Sequence, residues 1–130
     1  MIRILQQFLL ATLLLGILTG AAVAQSTTSR KARKAWDKAQ KHKQARNFDK
    51  AIEELEKAVE ADQDFVAAHY DLAYNHYILR HDAKSRYHFE KVVELAQDGR
   101  RYQVAWIRVA DYKLAEGEYD RARALAQQLL

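Results

Sequence analysis

From residue 30 onward the apolar residues recur at helical spacing, with no strand-like alternation, and short polar turns interrupt them. The pattern predicts six helices, near 30–45, 48–62, 66–79, 83–96, 101–115 and 118–130. Arg46-Asn47, His81-Asp82 and Gly117 mark the turns within helix pairs, and Asp62-Gln63-Asp64 and Asp98-Gly99 mark the turns between them. The chain contains no proline, so every break depends on Gly, Asn and Asp.

The helices repeat. Glu56-Lys57-Ala58-Val59-Glu60 returns as Glu90-Lys91-Val92-Val93-Glu94 after 34 residues, and the same shift carries Ala39 onto Ala73, His42 onto His76, Arg46 onto Arg80 and Leu55 onto Phe89. A third copy sets Glu118-Tyr119-Asp120-Arg121-Ala122 beside Asn47-Phe48-Asp49-Lys50-Ala51, with three extra residues near Gln97 to Arg101. A helical unit of this length is two antiparallel helices joined by a tight turn.

These residues resemble the tetratricopeptide repeat (TPR) family, whose units place large, small and aromatic residues at set points on the first helix and Ala and an aromatic on the second. Residues carrying the likeness are Ala39, Phe48, Ala51, Leu55 and Ala58 in the first unit; Leu72, Ala73, Phe89 and Val92 in the second; and Trp106, Val109, Ala110, Gly117, Tyr119 and Ala122 in the third. The first unit departs from the pattern at Ala35, Lys38 and Gln63. The second has His69 and His76 at aromatic positions and Ser85 for the usual Ala. The resemblance spans residues 32–130 and implies an all-α fold: a short α-solenoid of antiparallel helix pairs, about three TPR-like repeats. It also implies that Ala39, Ala73 and Ala110 let paired helices approach, while Leu55, Phe89 and Tyr119 fill the space between neighbours.

The first residues follow a different logic: Arg3, an apolar stretch from Phe8 to Leu18, then Ala22-Val23-Ala24. This is the order of a secretory signal peptide, with small side chains where the peptidase requires them, so residues 1–24 are expected to be removed after Ala24. Residues 25–31 then form a short linker and 32–130 the repeat domain. The alternative is an uncleaved anchor, because Ile4 to Ala24 is just long enough to span a bilayer. Export to the periplasm or beyond is the expectation, with membrane contact only through this segment if it is retained. The absence of cysteine excludes disulfides, thiolate metal sites, a cysteine nucleophile and a lipidated cysteine.

The net charge of +4 is unevenly spread. Residues 30–50 hold nine Lys or Arg against Asp37 and Asp49, and residues 51–130 hold eleven against fifteen acids. Such a segment can attract anionic lipid, nucleic acid or an acidic partner. Export argues against nucleic acid, and the ordinary use of a charge run is a solvated helix face.

In the family the first helix of each unit lines a concave surface, so the resemblance places partner recognition on Trp36, Gln40, Tyr70, Asp71, Tyr74, Tyr77, Ile107, Arg108 and Asp111. Tyr70, Tyr74 and Tyr77 recur at i, i+4 and i+7 and form one stripe beside His69, Ala73 and His76. They serve either as a groove gripping a peptide or as extra core. The carboxylate clamp by which some members hold chaperone tails is not reproduced. Its basic and amide positions are occupied by Trp36, Gln40, Asp71, Val104 and Arg108, and Asp71 would repel a carboxylate.

The remaining chemistry is sparse. The histidine spacing of seven residues, His69 to His76 and His81 to His88, is not a ligand motif, and His42, His69 and His76 fall on core positions, so no metal and no cofactor are expected. Ser26, Ser29 and Ser85 lie in no nucleophile elbow, and the carboxylates of Glu53 to Glu60 stand among lysines on a helix exterior. A non-enzymatic module that binds a protein or peptide is therefore expected. Self-association is the alternative, through an edge at Leu125, Leu129 and Leu130 that no capping helix covers.

Overall fold

The computed structural model of the protein describes residues 27–96 and 98–130; the apolar segment and the cleavage expected after Ala24 lie outside them. Among the described residues six helices follow one another: α1 (Arg30–Gln44), α2 (Phe48–Ala61), α3 (Val66–Ile78), α4 (Asp82–Leu95), α5 (Gln103–Ala115) and α6 (Tyr119–Gln127). No strand occurs among the described residues. The helices pack as α1 on α2, α3 on α4 and α5 on α6, and the pairs stack through α2 on α3 and α4 on α5. This is the short helical solenoid the 34-residue period predicts. No helix of the described residues is long and apolar enough to cross a membrane.

The turn inside each pair is the same structure three times. Asn47, His81 and Glu118 each donate a backbone N–H to the carbonyl five residues earlier, on His42, His76 and Lys113, at 2.9, 2.9 and 2.8 Å. Arg46, Arg80 and Gly117 each donate to the carbonyl three residues earlier. That pair of bonds is the Schellman motif, which satisfies the last carbonyls of a helix and requires a left-handed residue after it. Those residues are Arg46 (φ 56°), Arg80 (φ 61°) and Gly117 (φ 77°). Only the last has no side chain to strain.

The connection between the second and third pairs is wider. α5 begins at Gln103 rather than near 101, because the Tyr102 N–H closes a turn on the Gly99 carbonyl at 3.2 Å and its ring is buried. Gly99 is required here by space: a Cβ would lie 3.0 Å from the Trp106 ring.

Burial divides the array into two apolar clusters with α3 between them. Ala32, Ala35, Ala39, Ile52, Leu55 and Ala58 of the first pair meet Phe65, Ala68 and Leu72. Val66 and Ala73, from the other side of α3, join Phe89, Val92, Tyr102, Ala105, Trp106 and Val109. Because α3 is covered on both sides, it carries small and aromatic residues nearly all round. Ser85, standing where the repeat usually has Ala, is 1% exposed, and its hydroxyl donates to the Ala73 carbonyl at 2.9 Å, so the polar atom is satisfied at the α3–α4 contact.

Ala39, Ala73, Leu55 and Phe89 are fully buried, as their places in the repeat imply. Tyr119 corrects the expectation: it is 65% exposed and fills no core. Its equivalents also open their helices outside the core, Phe48 half-buried and Asp82 exposed, whereas Leu55 and Phe89, further along, are held between successive pairs. Ala110 is only half-buried, because among the described residues no further pair stacks on α5 and α6.

Candidate binding face

The first helices of the three pairs lie side by side, and polar contacts between them show it. Asp71 on α3, 9% exposed, accepts hydrogen bonds at Oδ2 from Trp36 Nε1 (2.8 Å) and Gln40 Nε2 (2.7 Å), and at Oδ1 from Lys43 Nζ (2.5 Å). Trp36, Gln40 and Lys43 stand at i, i+4 and i+7 on α1, so one helical face delivers all three donors to one carboxylate. Charge-assisted bonds of this kind are stronger than neutral ones. Three residues expected on the binding face, Trp36, Gln40 and Asp71, thus tie α1 to α3 through their polar atoms. Lys43, absent from that expectation, completes the set; its spacing from Trp36 and Gln40 was the available signal.

The tyrosine stripe runs on from this clamp. Tyr70 is half-buried, its ring centroid 5.2 Å from Tyr102 and 6.4 Å from Phe89, which fixes it to the second cluster. Tyr74 and Tyr77 are 44% and 36% exposed, and successive rings stand 6.5 and 6.4 Å apart. The stripe therefore divides: Tyr70 supports the core, and the other two face solvent. Arg108 on α5 places its guanidinium 4.5 Å over the Tyr77 ring and donates from Nη2 to the Tyr77 hydroxyl at 2.9 Å. Ile78, not singled out by spacing, adds exposed apolar surface at the end of α3.

Ile107 and Asp111 sit apart from the tyrosines. Together with Trp106, Ala110, Leu114 and Tyr119 they line a mainly apolar cleft of about 430 Å³ between α5 and α6. Leu129 borders that cleft and, like Leu125, is half-buried against the second cluster. Leu130 is fully exposed. The open edge is consequently formed more by Ile107, Leu114 and Tyr119 than by Leu125.

Four histidines meet between α3 and α4. His69 and His88 approach through their Nδ1 atoms at 2.9 Å, and His76 and His81 do so at 3.1 Å. His69 Nε2 also lies 2.9 Å from the Gln63 carbonyl. A carbonyl only accepts, so His69 is protonated at Nε2, and its Nδ1 accepts from the Nδ1–H of His88. His76 and His88 stack with ring planes 10° apart. Burial pushes the His76 imidazole down to about 4, and burial with the neighbouring His69 and His76 pushes His88 down to about 3; burial also lowers His69. All three are neutral at pH 7. His76 Nε2, with Asn75 Oδ1 and Tyr102 Oη, is buried without a hydrogen-bond partner among the described residues. No group of three or more His, Asp or Glu among the described residues is placed to hold a metal ion.

The geometry defines a helical-repeat solenoid with an aromatic and cationic face on its first helices. Comparison of the chain with family models, with curated proteins and with solved structures finds no match.

Proposed function

We propose that the protein is an exported, non-enzymatic adaptor of the tetratricopeptide type that holds a peptide or partner protein against the face formed by α1, α3 and α5. The observation that carries this reading is the pair Tyr74 and Tyr77, exposed side by side, with Arg108 fixed over Tyr77. Tyrosine and arginine dominate the energetics of many interfaces, and rings already held by their neighbours lose little conformational freedom on binding. The 34-residue helical pairs support the family assignment, and the apolar stretch ending in Ala22-Val23-Ala24 supports export.

The test is a crosslinking capture from cells exporting the full chain, comparing wild type with a Tyr74→Ala, Tyr77→Ala double variant. Tyr70 is left in place because it packs on Phe89 and Tyr102. Helical content and melting of both proteins are recorded. A partner lost in the variant at unchanged melting supports the adaptor; a partner captured equally by both removes the tyrosine face from the function.

The cleft beside Ile107, Leu114 and Tyr119 favours a second reading, self-association through the last pair. A native mass above the monomer, returned to the monomer by Leu114→Lys, supports it.

A further inference from the structure

The second helix of each pair carries an acid in its first turn and the first helix does not, and of those three first helices only α1 opens on a run of cations. α2, α4 and α6 each place an aspartate in the first turn, Asp49, Asp82 and Asp120, where the unpaired N–H groups favour an anion. α1 has no acid there and opens with Arg30, Lys31, Arg33 and Lys34. Cations at that end oppose the helix dipole, and only the Ser29 cap offsets them. Of these four cations, Arg33 is taken up by the fold, its guanidinium 5.5 Å from the Trp36 ring centroid.

The charges are also grouped. At 3.6 residues per turn, Arg30, Lys31, Lys34, Lys38 and Lys41 fall within about 100° of the α1 circumference. All five are exposed, and none is within salt-bridge distance of an acid among the described residues, although Lys38 stands close enough to Glu54 to help hold its carboxyl down. Four of the six other lysines are paired, Lys43 with Asp71, Lys57 with Glu54, Lys91 with Glu94 and Lys113 with Glu116, while Lys50 and Lys84 are exposed and stand singly rather than in a row. The stripe faces away from Ala32 and Ala39, which seat α1 on the array, and away from Trp36 and Gln40, which bind Asp71.

We propose that this stripe docks α1 on an anionic phospholipid surface. The match is one of charge: a row of five flexible cations, with the one acid of α1, Asp37, at its edge, meets a dense layer of phosphates. A fluid headgroup layer rearranges to meet such a row, whereas an acidic polypeptide has fixed spacings to satisfy, and the stripe contains no aromatic side chain to fix them. Chain length points the same way. The apolar stretch outside the described residues ends at Ala24, and the five residues 25–29 before Arg30 span at most about 18 Å. Any bilayer that holds the stretch has the stripe within reach, and after cleavage the stripe still attracts the headgroups. Tyr74 and Tyr77 lie on a different helix and remain open, so docking leaves the partner-binding face free.

Lysine acylation footprinting of the full chain, in whatever form the exporting cell leaves it, tests the proposal whether or not the apolar stretch is retained. The chain is mixed with vesicles of phosphatidylglycerol and phosphatidylcholine, or of phosphatidylcholine alone. Labelling of Lys31, Lys34, Lys38 and Lys41 should slow on the anionic vesicles alone and recover in high salt, while exposed Lys50 and Lys84 label alike on both. In flotation of the cleaved form, Lys34→Glu, Lys38→Glu and Lys41→Glu combined should weaken anionic-vesicle binding at least about a hundredfold, taking roughly fivefold per lost cation. Equal labelling on both vesicles overturns the proposal, and so does protection by polyglutamate with none by the anionic vesicles.

Discussion

The first and last helix pairs are built on the same repeat and are held in place differently. In the first, α1 and α2 span 15 and 14 residues, and each has a side-chain cap, from Ser29 and Asn47. Its seam is lined by alanines, and the Asp71 clamp fastens it to the next pair. In the last, α5 and α6 span 13 and 9 residues and neither has a side-chain cap. That pair depends on Trp106, whose ring covers Gly99 and whose Nε1 donates to Gln128 Oε1 at 2.8 Å. Yet the last pair follows the repeat pattern more closely, with Trp106, Gly117 and Tyr119 in place, while the first departs from it at Ala35 and Lys38. In a solenoid a pair's stability is the sum of its own packing and its interface with its neighbours, so a closer match to the repeat motif does not by itself make a pair the more stable.

Removing the Trp106 anchor should break the symmetry most. Trp106→Ala is expected to cost about 3–5 kcal/mol, and hydrogen exchange should show α5 and α6 losing protection while α1 and α2 keep theirs. Equal loss along the chain would mean that the three pairs unfold as one unit.

Acid should act on the middle pair, between these two ends. His69, His76 and His88 have folded pKa values below the unfolded value of about 6.5, so the folded state binds fewer protons. Their contribution is complete above about pH 6.5. It is lost as pH falls from about 6.5 toward the folded values, about 4 for His76 and about 3 for His88, because over that range unfolding takes up protons. The loss is about 1.4 kcal/mol per pH unit for each proton taken up. Lys84, near His76 and His88, adds to their repulsion once they are charged. Melting temperature should therefore fall between pH 6.5 and 4, and His88→Phe should flatten that limb. A profile level across this range would remove the histidines from the stability of α3 and α4.

The smallest effect belongs to the turns. Arg46→Gly and Arg80→Gly should each stabilise by about 1 kcal/mol, because glycine accepts the left-handed conformation without strain. Gly117→Ala should destabilise by a similar amount. Chemical denaturation of the three variants would show whether the repeated turn carries the same strain in every pair.

The sequence by itself determined the six helices of the described residues, their spans to within two or three residues, and the places where each pair turns. These follow from interactions over four or five residues, namely apolar spacing and the hydrogen bonds that end a helix, and they are written locally. Tertiary structure decided what the polar atoms do. Asp71 collects donors 28 to 35 residues away, His69 pairs with His88 across 19, and Tyr70 turns into the core while Tyr74 and Tyr77 stay outside. It also left Tyr119 at the surface and moved the start of α5 past the buried Tyr102 ring. The physical reason is that a side chain's spacing fixes only the helix face it occupies, whereas its burial and its partner depend on which other helix lies against that face.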